Sequence, residues 1–168
     1  MEYKKKICML GSFAVGKTSL VRRYVSSIYD DKYHTTVGVK VDKKQIRLGD
    51  DDLVMMLWDI YGEDDFQKLR MSNLAGSNGY LLVADGTRRA TLEKALEVND
   101  RVQSGPYAAP AVLVVNKLDL AADWEITPEV LDELRGRGWE PLRSSAKTGD
   151  GVEEAFRSLA VMMMGKKK

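Results

Sequence analysis

Eight residues near the start of the chain, Gly11-Ser12-Phe13-Ala14-Val15-Gly16-Lys17-Thr18, fit the pattern G-x-x-x-x-G-K-[ST]. They follow a short apolar run, Ile7-Cys8-Met9-Leu10, and lead into a helical pattern over residues 16–25. That order constrains the fold more than any other feature. A buried strand that turns through glycine into a helix N-terminus belongs to an α/β sheet, with ligands bound beyond the carboxyl ends of its strands. Glycine lets the backbone curl so that successive N–H groups point inward, and the helix end adds partial positive charge. Ala14, Val15, Gly16, Lys17, Thr18 and Ser19 are thereby expected to cradle phosphates. Lys17 can reach the outer phosphates, and the Thr18 hydroxyl can ligate the magnesium that accompanies them.

The rest of the chain alternates strand and helix. Residues 39–48 carry Val39, Val41, Ile46 and Leu48 and read as a strand with one exposed face. Gly49-Asp50-Asp51-Asp52 supplies turn chemistry before a second strand over 53–58, so a hairpin is expected. Residues 80–84 and 111–115 are continuous apolar runs, as strands buried on both faces of a parallel sheet require. Helices are predicted over residues 91–102, from Pro128 behind a Thr127 N-cap, and at the end, where Val152, Ala155, Phe156, Leu159 and Met163 make one stripe. A last strand is predicted over 139–142. The pattern predicts a three-layer α/β fold with a mainly parallel sheet, in one domain spanning residues 1–168.

Composition narrows the function classes. At 168 residues one hydrophobic core suffices, and 44% hydrophobic against 30% charged residues argues for a folded protein. Lys plus Arg number 26 and Asp plus Glu 25, a balance that gives no basic field for nucleic acid. The single cysteine, Cys8, excludes an internal disulfide and a multi-cysteine zinc site, and fits a reducing, cytoplasmic setting. No apolar run in the sequence is long enough to span a bilayer.

Asn116-Lys117-Leu118-Asp119 ends the strand of residues 111–115, on the same rim as the glycine loop. A carboxylate there can accept two parallel hydrogen bonds from the N1–H and exocyclic amine of guanine. Adenine lacks that donor pair, and a site of this kind discriminates by roughly 10⁴-fold. The alternative is an ordinary helix N-cap aspartate. Ser145-Ala146-Lys147, after the last strand, falls on this rim too.

The order of these motifs resembles the small GTPases of the Ras and Rab type, from residue 4 to residue 164. The runs Val37-Gly38, Trp58-Asp59, Asn116-Lys117 and Ser145-Ala146-Lys147-Thr148-Gly149 look closest to the Rab branch. The resemblance implies a six-stranded sheet with five helices, bound GTP or GDP with magnesium, and hydrolysis of GTP. It assigns the metal to Thr18, Thr36 and Asp59, the last through a water, with Thr36 preferred to Thr35. It places Gly62 at the terminal phosphate, Tyr29 against the guanine edge, and Asn116, Lys117, Asp119, Ser145, Ala146 and Lys147 around the base. Lys17, Thr36, Gly62 and Glu63 are the expected catalytic group. Residues 29–38 and 62–76 become the switch loops, on which an exchange factor, an activating protein and effectors are expected to dock. His34, in the first loop, reads as an exposed residue without a catalytic partner. The protein is expected to act as a monomer, with no nucleic-acid partner.

Three departures qualify that expectation. Glu63 stands where the family usually has a water-orienting glutamine, behind an unusual Ile60-Tyr61 pair. A carboxylate cannot donate a hydrogen bond to the phosphate unless protonated, although it can accept a proton from water. Phe13 stands where small residues are common. It either obstructs an incoming arginine finger or folds back as local packing. Slow intrinsic turnover is therefore expected, and the rival is a scaffold that holds GTP with little or no hydrolysis. An ATP-dependent kinase on the same cradle is disfavoured by residues 116–119. The chain ends Met162-Met163-Met164-Gly165-Lys166-Lys167-Lys168 without the cysteines that membrane-working relatives prenylate. Membrane association is then expected only through a partner or a lipidated tail absent from this sequence.

Overall fold

The computed structural model describes residues 1–26, 39–60 and 71–166. In chain order the elements are β1 (Glu2–Leu10), α1 (Lys17–Ser26), β2 (Val39–Leu48), β3 (Asp51–Ile60), β4 (Gly79–Asp85), α2 (Arg89–Gln103), β5 (Ala111–Asn116), α3 (Pro128–Gly136), β6 (Leu142–Arg143) and α4 (Val152–Met163). A single 3₁₀ turn covers Met71–Leu74, and two short 3₁₀ turns separated by a kink at Leu120 cover Leu118–Asp123. The six strands form one sheet in the order β2-β3-β1-β4-β5-β6. Only β2 runs antiparallel, as the partner of β3 in the expected hairpin. Of the five helices the resemblance implies, four α-helices lie among the described residues.

Side-chain alternation sorts the core onto the two faces of this sheet. Ile7, Met9, Leu53, Met55, Leu57, Leu81, Val83, Val112 and Val114 point to the face that α1 and α4 cover. Cys8, Leu10, Ile60, Tyr80, Leu82, Ala84, Leu113 and Val115 point to the face covered by α2 and α3. Covering both faces is what turns β4 into a run of seven buried residues. On the first face the Tyr24 ring of α1 stacks on Phe156 of α4, with centroids 4.1 Å apart and planes 2° from parallel.

β1 is longer than its apolar run. Its first half pairs with β3 alone, from Glu2 opposite Asp52, whereas β4 begins to pair at Ile7. Only Ile7–Leu10 is flanked by strands on both sides, and only there is every side chain buried. The strand expected over 139–142 is corrected to Leu142–Arg143. The Trp139 N–H is taken by the Leu134 carbonyl at the end of α3, 3.0 Å away, and Pro141 has no N–H to give a ladder. The predicted start of α3 is present: the Thr127 hydroxyl accepts from the Val130 N–H at 3.3 Å, with Pro128 in the first turn.

Candidate functional site

The carboxyl ends of β1, β3, β4 and β5 open on one rim, where most of the sequence-expected site residues meet. The loop after β1 is tightly shaped. A Cβ on Gly11 would lie 2.4 Å from the Val83 carbonyl, and one on Gly16 would lie 2.3 Å from the Asn116 side-chain nitrogen. Gly16 also has φ +102°. Ala14 holds φ +59°, a left-handed conformation that costs a side-chain-bearing residue roughly 1–2 kcal/mol. Lys17, buried at the N-terminus of α1, folds back over this loop and donates to the Gly11 and Ser12 carbonyls at 2.7 and 3.2 Å. Its charge is thereby held inside the curl, where an anion would sit.

Thr18 and Asp59 come together from different elements. The Thr18 hydroxyl donates to Asp59 Oδ2 at 2.6 Å, and Asp59 is buried at the end of β3. A hydroxyl and a carboxylate are hard oxygen donors of the kind magnesium prefers, and a sparse set suits an ion that keeps several waters. Among the described residues no cluster of three or more His, Cys, Asp or Glu offers a self-sufficient metal cage. The donor set therefore fits magnesium accompanying a phosphate.

Beside the glycine loop lies a cavity of about 170 Å³ lined by Gly16, Ser19, Asn116, Lys117, Asp119, Leu120, Ala146 and Lys147. Hydrogen bonds between loops fix its walls. Asn116 donates to the Val15 carbonyl at 2.9 Å and accepts from the Ser144 hydroxyl at 3.1 Å, which ties β5 to both the phosphate loop and the loop after β6. The fully buried Ser145 donates to Asp119 Oδ1 at 2.7 Å and accepts from the Thr148 N–H. Asp119 is thus aimed from one side. Oδ1 keeps a second lone pair and, among the described residues, Oδ2 takes no hydrogen bond, so both oxygens can accept from a ligand with paired N–H donors. Ala14, Val15, Gly16, Lys17, Thr18, Ser19, Asp59, Asn116, Lys117, Asp119, Ser145, Ala146 and Lys147 are all described, and the contacts above link most of them. Tyr29, His34, Thr36, Gly62 and Glu63 lie outside the described residues.

Two rim residues escaped the sequence reading. Asp85, at the end of β4 and opposite Asn116 in the ladder, is 1% exposed. Its Oδ1 accepts from the Thr87 N–H and hydroxyl, and its Oδ2 from Arg88 Nε and Lys117 Nζ. Burial alone would raise the Asp85 carboxyl pKa, but the Lys117, Thr87 and Arg88 hydrogen bonds outweigh it and leave it below its ordinary value. Arg88 also donates to the Phe13 carbonyl at 2.8 Å. The signal was present in the sequence: a carboxylate closing an apolar strand on the ligand rim.

This geometry, a phosphate-shaped loop, a hydroxyl–carboxylate pair and a small cavity with an aimed carboxylate on one rim, defines a P-loop nucleotide-binding fold. The family model for the Ras family matches residues 6–164, and the chain belongs to that family. It is 34% identical to human Ras-related protein Rab-7b over 161 residues, which cover 92% of this chain and 80% of that one. It is 31% identical to human Ras-related protein Rab-32, with 94% and 74% covered. Identity to a GTP-binding protein Rheb homolog of Dictyostelium discoideum is 33%, with 92% and 85% covered. The protein is a Rab-like small GTPase of the Ras superfamily, a GTP-binding switch. Among the described residues no helix is long and apolar enough to cross a membrane.

Proposed function

We propose that this chain holds GTP or GDP with magnesium on the rim described above, and that it hydrolyses GTP slowly unless a partner accelerates it. The observation that carries this reading is the meeting, on one rim, of the Lys17 loop, the Thr18–Asp59 pair and the Asp119 cavity. The triphosphate lies along the loop of residues 11–18, with Lys17 neutralising charge on its outer phosphates, and the guanine enters the cavity. There Asp119 accepts from the base, while Asn116, Lys117, Ser145, Ala146 and Lys147 wall it in. Thr18, Thr36 and Asp59 are the residues that would hold magnesium, and the ion supplies charge neutralisation at the phosphate oxygens.

In the hydrolysis step, water attacks the terminal phosphorus and the bond to the bridging oxygen breaks, so that GDP leaves with that electron pair. Lys17 and the backbone N–H of Gly62 meet the charge that develops. Glu63 accepts a proton from the attacking water but, as a carboxylate, offers no donor to the phosphate. That difference is the reason for slow turnover. Residues 29–38 and 62–76 report the phosphate's presence to an exchange factor, an activating protein and effectors, the protein itself working as a monomer.

The experiment is single-turnover hydrolysis of magnesium-bound GTP by wild type and Glu63→Gln. Slow protein-dependent turnover in the wild type, with a gain in the variant, is the expected result. GTP that stays bound and intact in the wild type, with or without an added activating partner, would favour instead the scaffold reading to which Glu63 and Phe13 lend themselves.

A further inference from the structure

Arg88 stands just before α2, and its side chain is 41% exposed, yet its guanidinium spans two separate parts of the rim. Nε donates to Asp85 Oδ2 at 3.0 Å, and Nη2 donates to the carbonyl of Phe13, 75 residues away in sequence, at 2.8 Å. The same Asp85 oxygen receives the Lys117 ammonium at 2.8 Å. Lys117 holds φ +73°, and its carbonyl accepts from Trp124 Nε1 at 2.8 Å. One buried carboxylate is therefore shared between a cation that holds the phosphate loop, Arg88, and a cation on the base loop, Lys117.

We propose that Arg88 is a positioning residue for nucleotide retention: it clamps the phosphate loop at Phe13 to Asp85, and through Asp85 to Lys117, so that the phosphate cradle and the base-recognition loop hold one another. The proposal rests on the nucleotide reading above. The peptide bond is planar and trans, so anchoring the Phe13 carbonyl on Arg88 turns the Ala14 N–H in the opposite direction. Arg88 thereby sets the aim of a backbone donor in the cradle. Ala14 needs such restraint, because its left-handed φ is one that a non-glycine residue leaves readily. The planar fork suits the task. Two fixed N–H vectors can serve a carboxylate and a carbonyl together, whereas a lysine ammonium is a single point charge on a flexible stem.

The test uses the full chain loaded with GDP, as wild type, Arg88→Gln and Arg88→Lys. Release is followed with a fluorescent GDP, and phosphorus NMR reads the bound diphosphate. Loss of a charge-assisted hydrogen bond predicts release about 10-fold faster in Arg88→Gln. The β-phosphate resonance is expected to move as well, which a role confined to the stability of α2 would not produce. Arg88→Lys is expected to fall between the two. Should Arg88→Gln fail to fold, Arg88→Lys decides alone: intermediate release with a displaced resonance supports the clamp, and wild-type behaviour refutes it. Wild-type release and an unmoved resonance in Arg88→Gln overturn the inference while leaving the nucleotide reading intact. A wild type that retains no GDP overturns both.

Discussion

The Thr18 hydroxyl lies 2.6 Å from the Asp59 carboxylate, across 41 residues of sequence. The first residue opens a helix, the second closes a strand, and β1 and β3 run in register so that Met9 sits opposite Asp59. Parallel pairing is what delivers both oxygens to one end of the sheet.

If that pair holds magnesium as proposed, nucleotide retention depends on the ion. Asp59→Ala removes the carboxylate proposed to orient the ion's surroundings and is expected to weaken magnesium binding by about 10- to 100-fold. Thr18→Ala is expected to make GDP release nearly insensitive to a chelator, whereas Thr18→Ser, which keeps the hydroxyl, responds like wild type. Release rates with and without EDTA check both.

Recognition of the base is predicted to rest on Asp119 and, behind it, Ser145. Inosine diphosphate lacks the exocyclic amine of GDP, so the wild type should prefer GDP by about 10-fold or more, the worth of one hydrogen bond to a charged group. Asp119→Ala should bind the two alike. Ser145→Ala, which releases Asp119 Oδ1 from its 2.7 Å partner, should keep the preference but narrow it. Competition binding with both diphosphates measures the ratio.

Acid should remove a stabilising contribution that Asp85 makes. Its pKa is lower folded than unfolded, so the unfolded chain binds more protons as the pH falls. The contribution is fully present above the ordinary carboxylate range and is lost below about pH 4 as the folded form titrates. Urea unfolding across that range should show a shallower acid decline in Asp85→Asn than in wild type, with the variant less stable at pH 7.

At the alkaline end the relevant group is Tyr24. Burial first, then the charge of Glu153, pushes its phenol up to about 12. The unfolded chain loses that proton near pH 10 and the folded chain only near 12, so stability falls through the interval. Among the described residues the hydroxyl makes one weak contact, with Met55 Sδ at 3.6 Å. Tyr24→Phe should therefore keep the stacking on Phe156, lie within about 1 kcal/mol of wild type at pH 7, and resist alkali better. Thermal melts at pH 7 and pH 11 check this.

Gly86 packs against the Trp124 ring so closely that an added Cβ would lie 2.1 Å from it. Gly86→Ala should displace the indole, break its hydrogen bond to Lys117 and cost about 1–3 kcal/mol, as overpacking does. Chemical denaturation monitored by tryptophan fluorescence reads both the midpoint and the changed ring environment.

Much of the fold is legible along the chain because local rules were obeyed. The run Ile7-Cys8-Met9-Leu10 marks the part of β1 enclosed by two strands, and Thr127-Pro128 opens α3 as capping chemistry demands. Where the reading failed, a non-local partner decided. Glu2–Lys6 carries no apolar run, yet it is strand because β3 lies beside it. The Trp139 amide turned back to Leu134 and shortened β6. At the site, Lys17, Thr18, Asn116 and Asp119 stand out because their residue types and spacing are those that phosphate and base chemistry would demand. Asp85 and Arg88 carry no such spacing.

By itself the sequence determined the α/β class, the placement of a glycine loop between β1 and α1 and the residue types that meet on its rim. These follow from short-range constraints: period, glycine freedom and donor type within a few residues. Only the tertiary structure decided that one arginine reaches both the Phe13 carbonyl and the Asp85 carboxylate, which Lys117 shares. Hydrogen bonds act over about 3 Å, and whether residues 75 positions apart come that close is set by how β1, β4 and β5 lie side by side.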